Sequence, residues 1–226
     1  MNEDLPDWER LLAAERHVQA LVPGSVLVGG TAAAIHASHR KSLDGDHVLV
    51  DLRDRFDEVL AQLEAAAGWQ TERFQRPVLI PGSFDGMQSG IRQLRRKQPL
   101  AYEIVDGLRV PTLPEMARIK AWLLATRHTA RDYLDCVVLL DRLGDKEAVD
   151  ALQDLDALYE QENGASVLVE VVDRLARAEP SDQNRIDLPT YRGLNPPWND
   201  WDHLKARGRH FGRLLAPVSL GKDFRS

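Results

Sequence analysis

Two aspartates, Asp44 and Asp46, stand one residue apart, and a glycine pair, Gly29-Gly30, begins 15 positions before the first of them. On an extended strand, residues two apart point to the same side. Both carboxylates can therefore reach one hard cation, and oxygen donors of this kind suit Mg2+, with Mn2+ as the alternative. A metal pair held this way activates an attacking hydroxyl and steadies a leaving pyrophosphate. Gly29-Gly30 closes the β-branched run Ser25–Val28, and Thr31 opens an alanine-rich helix. Bare amides at a helix N-terminus favour a polyphosphate, and a side chain there would keep phosphates off the backbone. Ser42 falls on the same side as Asp44 if the segment is extended, and Arg40 precedes it by two residues. Both are candidate phosphate ligands. Each feature also has a plain explanation: Gly-Gly is common turn chemistry, Asp-Gly-Asp is a common surface turn, and Ser42 is a turn serine or a target for modification.

Other chemistries fit less well. His36, His39 and His47 could ligate zinc, but the carboxylates beside them suit magnesium better. No Ser-His-Asp order, Walker-type loop or dinucleotide fingerprint is present. The single cysteine, Cys136, excludes an intramolecular disulfide and a cysteine-based zinc site. A reducing, cytoplasmic setting and no membrane partner are expected, because the N-terminus lacks signal-peptide features and no apolar run approaches roughly 18 residues. The net charge is -6, so nucleic-acid contact would need local patches. Arg92, Arg95, Arg96 and Lys97 form one; Lys205, Arg207, Arg209 and Arg213 form another, with Trp198 and Trp201 near it.

The elements that must position these residues follow from periodicity. Apolar spacing predicts a helix over Trp8–Leu21, a strand over Ser25–Val28, a helix over Ala32–Ser38 and a strand over His47–Leu52. An amphipathic helix covers Asp54–Ala67 with Phe56, Val59, Leu60 and Leu63 on one face. Val78–Ile80 and Ser89–Ile91 flank the turn Gly82–Gly86 as a hairpin, and Ala101–Val105 and Leu108–Val110 form two shorter strands. Helices then follow over Glu115–Ala125, Arg131–Leu143, Lys146–Gln161 and Ser166–Ala178, with a loop over Pro180–Trp201 and a basic helix over Asp202–Leu215. The expectation is an α+β protein: a small mixed β-sheet flanked by helices in residues 1–112, then a helical domain with a basic tail in 113–226.

Leu27-Val28-Gly29-Gly30-Thr31-Ala32-Ala33-Ala34-Ile35-His36, followed by His39-Arg40-Lys41-Ser42-Leu43-Asp44-Gly45-Asp46, resembles the AbiEii/AbiGii toxin family. That family, which includes the MenT-type toxins, is a branch of the DNA polymerase β-type nucleotidyltransferases. Ile119-Lys120-Ala121, Arg127 and Arg131-Asp132-Tyr133-Leu134-Asp135 resemble its helical signature, and Val110–Leu113 its linker. The resemblance implies a nucleotidyltransferase fold with Asp44, Asp46, Lys120 and Asp132 as catalytic residues. It further implies nucleotide contacts from Gly29, Gly30, Thr31, Arg40, Ser42 and Lys120, and metal on Asp44 and Asp46. The implied reaction moves an NMP from an NTP to an acceptor hydroxyl on RNA, at the 3′ end of a tRNA, as the toxin of a toxin–antitoxin pair with a cognate antitoxin.

Several local readings stay open beside this one. Lys120 is also read as a solvated helix residue, Asp132 as the partner of Thr129 in a capping box, and Asp135 as the partner of Arg131 one turn back. A third carboxylate, the usual general base, is missing where it is expected: Gln93 or Arg92 stands there, and Glu103 is a weak substitute. That gap motivates a second reading, a nucleotidyltransferase-fold protein that binds nucleotide, RNA or a protein partner without turnover. A third reading transfers the nucleotide to a protein or a small molecule of aminoglycoside type.

Overall fold

The computed structural model describes residues 5–191 and 193–221, and they form two compact units. The first comprises residues up to 35 together with 41–112; the second comprises 36–40 together with 113 onward.

The first unit is built on a five-stranded sheet. Its elements are α1 (Leu5–Leu21), β1 (Val26–Val28), α2 (Gly29–Ala37), β2 (Asp44–Leu49), α3 (Leu52–Glu64), β3 (Trp69–Thr71), β4 (Leu79–Phe84) and β5 (Met87–Gln93). The last three residues of the α2 span lie at or beyond the unit boundary. The strand order is β1-β2-β5-β4-β3, and β2 and β5 are the parallel pair. Parallel neighbours need a crossover connection, and α3 supplies it. Phe56, Val59, Leu60 and Leu63 are buried on the face of α3 that the spacing predicted, against Ile80, Phe84, Ile91 and Trp69 of the sheet. The turn between β4 and β5 is the pair Asp85-Gly86, both with positive φ (48° and 79°). That geometry matches the right-handed twist of hairpin strands. A separate hairpin, β6 (Tyr102–Val105) and β7 (Leu108–Pro111), packs Leu108 and Val110 with Leu12 and Leu27.

Two boundaries differ from the sequence expectation in ways that matter for the site. The second strand starts at Asp44 rather than His47 and ends at Leu49, so the Asp-Gly-Asp motif lies within the strand instead of in a turn ahead of it. Helix α2 starts at Gly29 rather than after Thr31, so the glycine pair forms its first turn. The alanine-rich stretch is buried there.

The second unit is helical: α4 (Leu113–Arg127), α5 (Ala130–Leu143), α6 (Asp145–Leu152), α7 (Leu155–Leu158), α8 (Val167–Arg177) and α9 (Trp201–Ser219). The stretch expected as one helix over 146–161 is divided into α6 and α7, and the described residues of 180–200 include two short 3₁₀ turns. The pairs α4–α5 and α8–α9 pack closely. Close approach of α9 to its neighbours depends on Gly208 and Gly212. A Cβ on Gly212 would come within 3.1–3.4 Å of the α8 backbone, and one on Gly208 would meet the Tyr133 hydroxyl at 1.9 Å. Among the described residues no helix is long and apolar enough to cross a membrane.

Gly208→Ala is expected to destabilise the helical unit by about 1–3 kcal/mol through overpacking, read as a lower urea midpoint. The Tyr133 hydroxyl is buried without a hydrogen-bond partner. Adding Tyr133→Phe should therefore recover part of the loss; a double variant as unstable as the single one would refute this packing account.

Candidate active site

Register and strand period place the two motif aspartates on one face of β2. Asp44 and Asp46 are half-buried, whereas Gly45, His47 and Leu49 alternate with them on the buried face. The glycine pair and the aspartates meet here. Gly29 has φ +74°, and a Cβ on it would lie 3.0 Å from Asp46 Oδ2. Glycine is thus required twice at this position, by the left-handed backbone and by the carboxylate packed on its Cα. Two hydroxyls fix Asp44. Thr31 Oγ1 donates to its backbone carbonyl at 2.5 Å, and Ser42 Oγ donates to its Oδ1 at 3.0 Å. Thr31 and Ser42, read from the sequence as nucleotide contacts, are both buried and hold the first aspartate in place.

The opposite face of β2 carries a feature the sequence reading missed. Glu15 of α1 is fully buried, accepts a bond from Ser89 Oγ at 2.8 Å, and lies 3.3 Å from His47 Nδ1. Its carboxyl fills the space beside Gly45, where a Cβ would sit 2.1 Å from the Glu15 Cδ. The central residue of Asp-Gly-Asp is therefore glycine because a buried acid lies beneath it, not because the chain turns. Burial pushes the Glu15 carboxyl up to about 8; the Ser89 bond opposes this, and the charges of Asp46 and Asp44 add to it. Burial, helped by the charge of Arg109, pushes His47 down to about 3. Burial thus favours the neutral form of both groups. The signal was present in the chain: Glu15 falls on the apolar stripe Leu11, Val18 of α1, where a carboxylate has no reason to be unless it has partners.

The place of the third acid is corrected by the register. Gln93 pairs with Leu49, on the other face from the aspartates, and its side chain accepts from the Arg53 amide and donates to the Val50 carbonyl. The β5 residues that share the face with Asp44 and Asp46 are Gln88, Gly90 and Arg92, paired with Asp44, Asp46 and Val48. Arg92 Nε donates to Asp46 Oδ1 at 3.0 Å. Glu103 lies on β6, in the separate hairpin. Among the described residues no group of three or more His, Cys, Asp or Glu side chains is placed to hold a metal ion.

The remaining predicted residues gather in the helical unit around a different carboxylate. Asp135 of α5 is fully buried and accepts from His39 Nε2 (2.8 Å), from Arg40 Nε and Nη2 (2.7 and 2.8 Å), and lies 2.8 Å from Lys120 Nζ of α4. Burial alone would raise its pKa, but the charges of Lys120 and Arg40 and the bonds from Arg40 and His39 hold it well below the usual carboxylate range. Asp135 therefore pairs with these groups and not with Arg131 one turn back. Arg40 is 4% exposed and Lys120 2% exposed, so both positive groups face a protein carboxylate instead of open solvent. Asp132 has two contacts: its Oδ2 accepts from the hydroxyl of Thr129, the N-cap of α5, at 2.9 Å, and its Oδ1 lies 3.7 Å from Lys120 Nζ. The capping-box reading holds for Thr129, whose side chain accepts from the Asp132 amide at 3.2 Å.

The basic patches are partly neutralised by the fold. Arg96 is buried and donates to the carbonyls of Gln98 and Pro99. Arg207 pairs with Asp141 and His210 with Asp145, while Lys205 lies over the Trp201 ring. Trp198 packs edge-on to His203.

The mixed sheet with flanking helices and a helical second unit is a nucleotidyltransferase fold. The chain superposes with a TM-score of 0.56 and 14% identity on JHP933 of Helicobacter pylori, over 95% of this chain and 93% of that one. A nucleotidyltransferase candidate of H. pylori superposes at 0.54 and 14% identity over 99% of this chain and 100% of that one. No family model matches the sequence. A stretch of 95 residues is 33% identical to the heme uptake protein MmpL11 of Mycobacterium tuberculosis and to MmpL11 of Mycobacterium bovis. It covers 39% of this chain, which spans only about a tenth of the length of these curated relatives.

Two predictions follow from the buried acid. Gly45→Ala should cost about 1–3 kcal/mol, and Glu15→Ala should restore part of that loss because the two sites share one space; simple additivity would contradict the contact. The second concerns pH. A carboxyl raised from 4.5 to about 8 in the folded state contributes stability that is complete below pH 4.5 and lost as pH rises through 8. In metal-free buffer the urea midpoint of Glu15→Gln relative to wild type should therefore climb between pH 5 and pH 8. A difference that stays flat across that range would rule out a neutral buried Glu15.

Proposed function

We propose that this protein is a divalent-metal-dependent nucleotidyltransferase that moves an NMP from an NTP to an acceptor hydroxyl. The observation that carries the reading is the packing of Asp46 Oδ2 on the Cα of Gly29. It puts a carboxylate suited to a hard cation beside the first turn of a helix, where amides and dipole favour phosphate. The donor set fits Mg2+ or Mn2+, which bind through one or two carboxylates together with substrate phosphates. A bound cation would supply Lewis-acid polarisation of the phosphates and stabilisation of the leaving pyrophosphate.

In this reading the residues of the chain divide the work. Asp44 and Asp46 hold the cation, with Asp44 kept in place by Ser42 and Thr31. The amides of Gly29 and Gly30 receive the triphosphate. The resemblance to AbiEii/AbiGii toxins supports adding Lys120 and Asp132 to the machinery, RNA and specifically the tRNA 3′ end as acceptor, and an antitoxin as protein partner. Arg40 has its guanidinium engaged by Asp135, and its role in the reading is to anchor the segment that leads toward Ser42 and Asp44.

A second reading, nucleotide binding without turnover, is favoured by one observation: among the described residues, none of those on β5 that share the face with Asp44 and Asp46 is an acid, and Arg92 stands there instead.

Incubation with each labelled NTP, Mg2+ or Mn2+, total RNA and cell protein separates these readings. Label is expected in RNA, and Asp44→Ala or Asp46→Ala should reduce incorporation at least about 100-fold, the scale of losing a group that stabilises transition-state charge. Label in protein or in a small molecule would replace the acceptor. No incorporation with NTP binding intact would favour the second reading, and incorporation surviving Asp44→Ala and Asp46→Ala combined would refute metal-dependent transfer at this site.

A further inference from the structure

On the face of the sheet that carries Asp44 and Asp46, one of the two carboxylates has an arginine beside it. Beside Asp46, in register on β5, stands Gly90, and the next residue on that face is Arg92. The Arg92 guanidinium bonds the same Asp46 carboxylate that would ligate a cation, at 3.0 Å to Oδ1. This pair is not part of the core: the Arg92 and Asp46 side chains are 48% and 33% exposed. Exposed pairs of this kind are weak and exchange readily for other partners. A guanidinium cannot lose its proton at ordinary pH, so it competes with a divalent ion for Asp46 as a fixed positive charge. Its planar fork also matches phosphate oxygens better than a single carboxylate oxygen.

We propose that Arg92 controls loading of the site: it neutralises Asp46 while the site is empty, and an arriving nucleoside triphosphate draws it off onto the phosphates, so that cation and nucleotide load together. The proposal rests on the reading of Asp44 and Asp46 as cation ligands. It explains why an arginine stands on the face where a third acid would otherwise be placed. Positive charge there obstructs a bare cation but helps a cation that arrives with a polyanion. Arg92 is on this account a nucleotide-binding residue, and metal affinity and nucleotide affinity become linked through it, by the same factor in each direction.

The test measures Mn2+ binding by the electron paramagnetic resonance signal of the free ion, with and without a non-hydrolysable NTP analogue. Wild type, Arg92→Gln, Arg92→Lys and Asp46→Asn are compared, and circular dichroism confirms that each is folded. Without nucleotide, Arg92→Gln should bind Mn2+ roughly three- to tenfold more tightly, the scale of removing one exposed pair and one nearby like charge. Arg92→Lys, which keeps the charge, should stay near wild type. The gain in Mn2+ affinity on adding the analogue should shrink in Arg92→Gln by a similar factor. Unchanged or weaker Mn2+ binding in Arg92→Gln, an undiminished nucleotide effect, or no measurable binding in either protein would overturn the inference. Asp46→Asn tests the underlying reading separately: if it leaves Mn2+ binding intact, Asp46 is not a cation ligand, whatever Arg92 does.

Discussion

Strand β2 separates two kinds of carboxyl chemistry by the thickness of its own backbone. Asp44 and Asp46 project from one face toward solvent, and the neutral carboxyl of Glu15 lies against the other. The strand can do this only because Gly45, between the two aspartates, has no side chain. Burial beneath the strand, away from water, disfavours the charged form of Glu15. The negative charges of Asp44 and Asp46 reinforce the effect, since they raise the cost of ionising the buried acid. The bonds to Asp44 from Thr31 and Ser42, and the packing of Gly29 on Asp46, all refer back to the position that this strand takes.

The helical unit solves a related problem differently. Asp135 is buried as completely as Glu15, yet it remains ionised because three side chains converge on it. Removing one member of such a group leaves charge uncompensated in a medium that cannot solvate it, which makes buried clusters costly to alter. The arrangement gives the residues before Lys41 a firm seat: His39 and Arg40 bond Asp135, and Asn195 bonds the carbonyls of Ser38 and His39. A short segment that would otherwise be a loose connection is thereby held by side-chain and backbone bonds together.

Arg92 shows how a fold can be read wrongly by counting along a strand. The sequence places Gln93 and Arg92 side by side, and either could be assigned to the vacant acid position. Only the pairing of Asp46 with Gly90 settles that Gln93 faces away, where it bonds the Arg53 amide at the start of α3, and that Arg92 faces the aspartates. A one-residue difference in register exchanges the two faces completely.

Much of the site was legible from local rules. The period of a strand put Asp44 and Asp46 on one side, the stripe of α3 named its buried residues, and Thr129 marked the N-cap of α5. These depend on contacts within a few residues, which spacing along the chain encodes directly. The α+β class followed from the change of period after Thr112. What the sequence could not decide were partners distant along the chain: Glu15 beneath Gly45, Asp135 beneath Arg40 and Lys120, and Arg92 beside Asp46. The reason is physical. A buried charge or acid is tolerated only by the groups that meet it in three dimensions, and those meetings are set by strand register and helix packing, to which local spacing is indifferent. Sequence determined that Gly29, Gly30, Asp44 and Asp46 belong to one motif; tertiary structure decided why Gly45 stands between the aspartates.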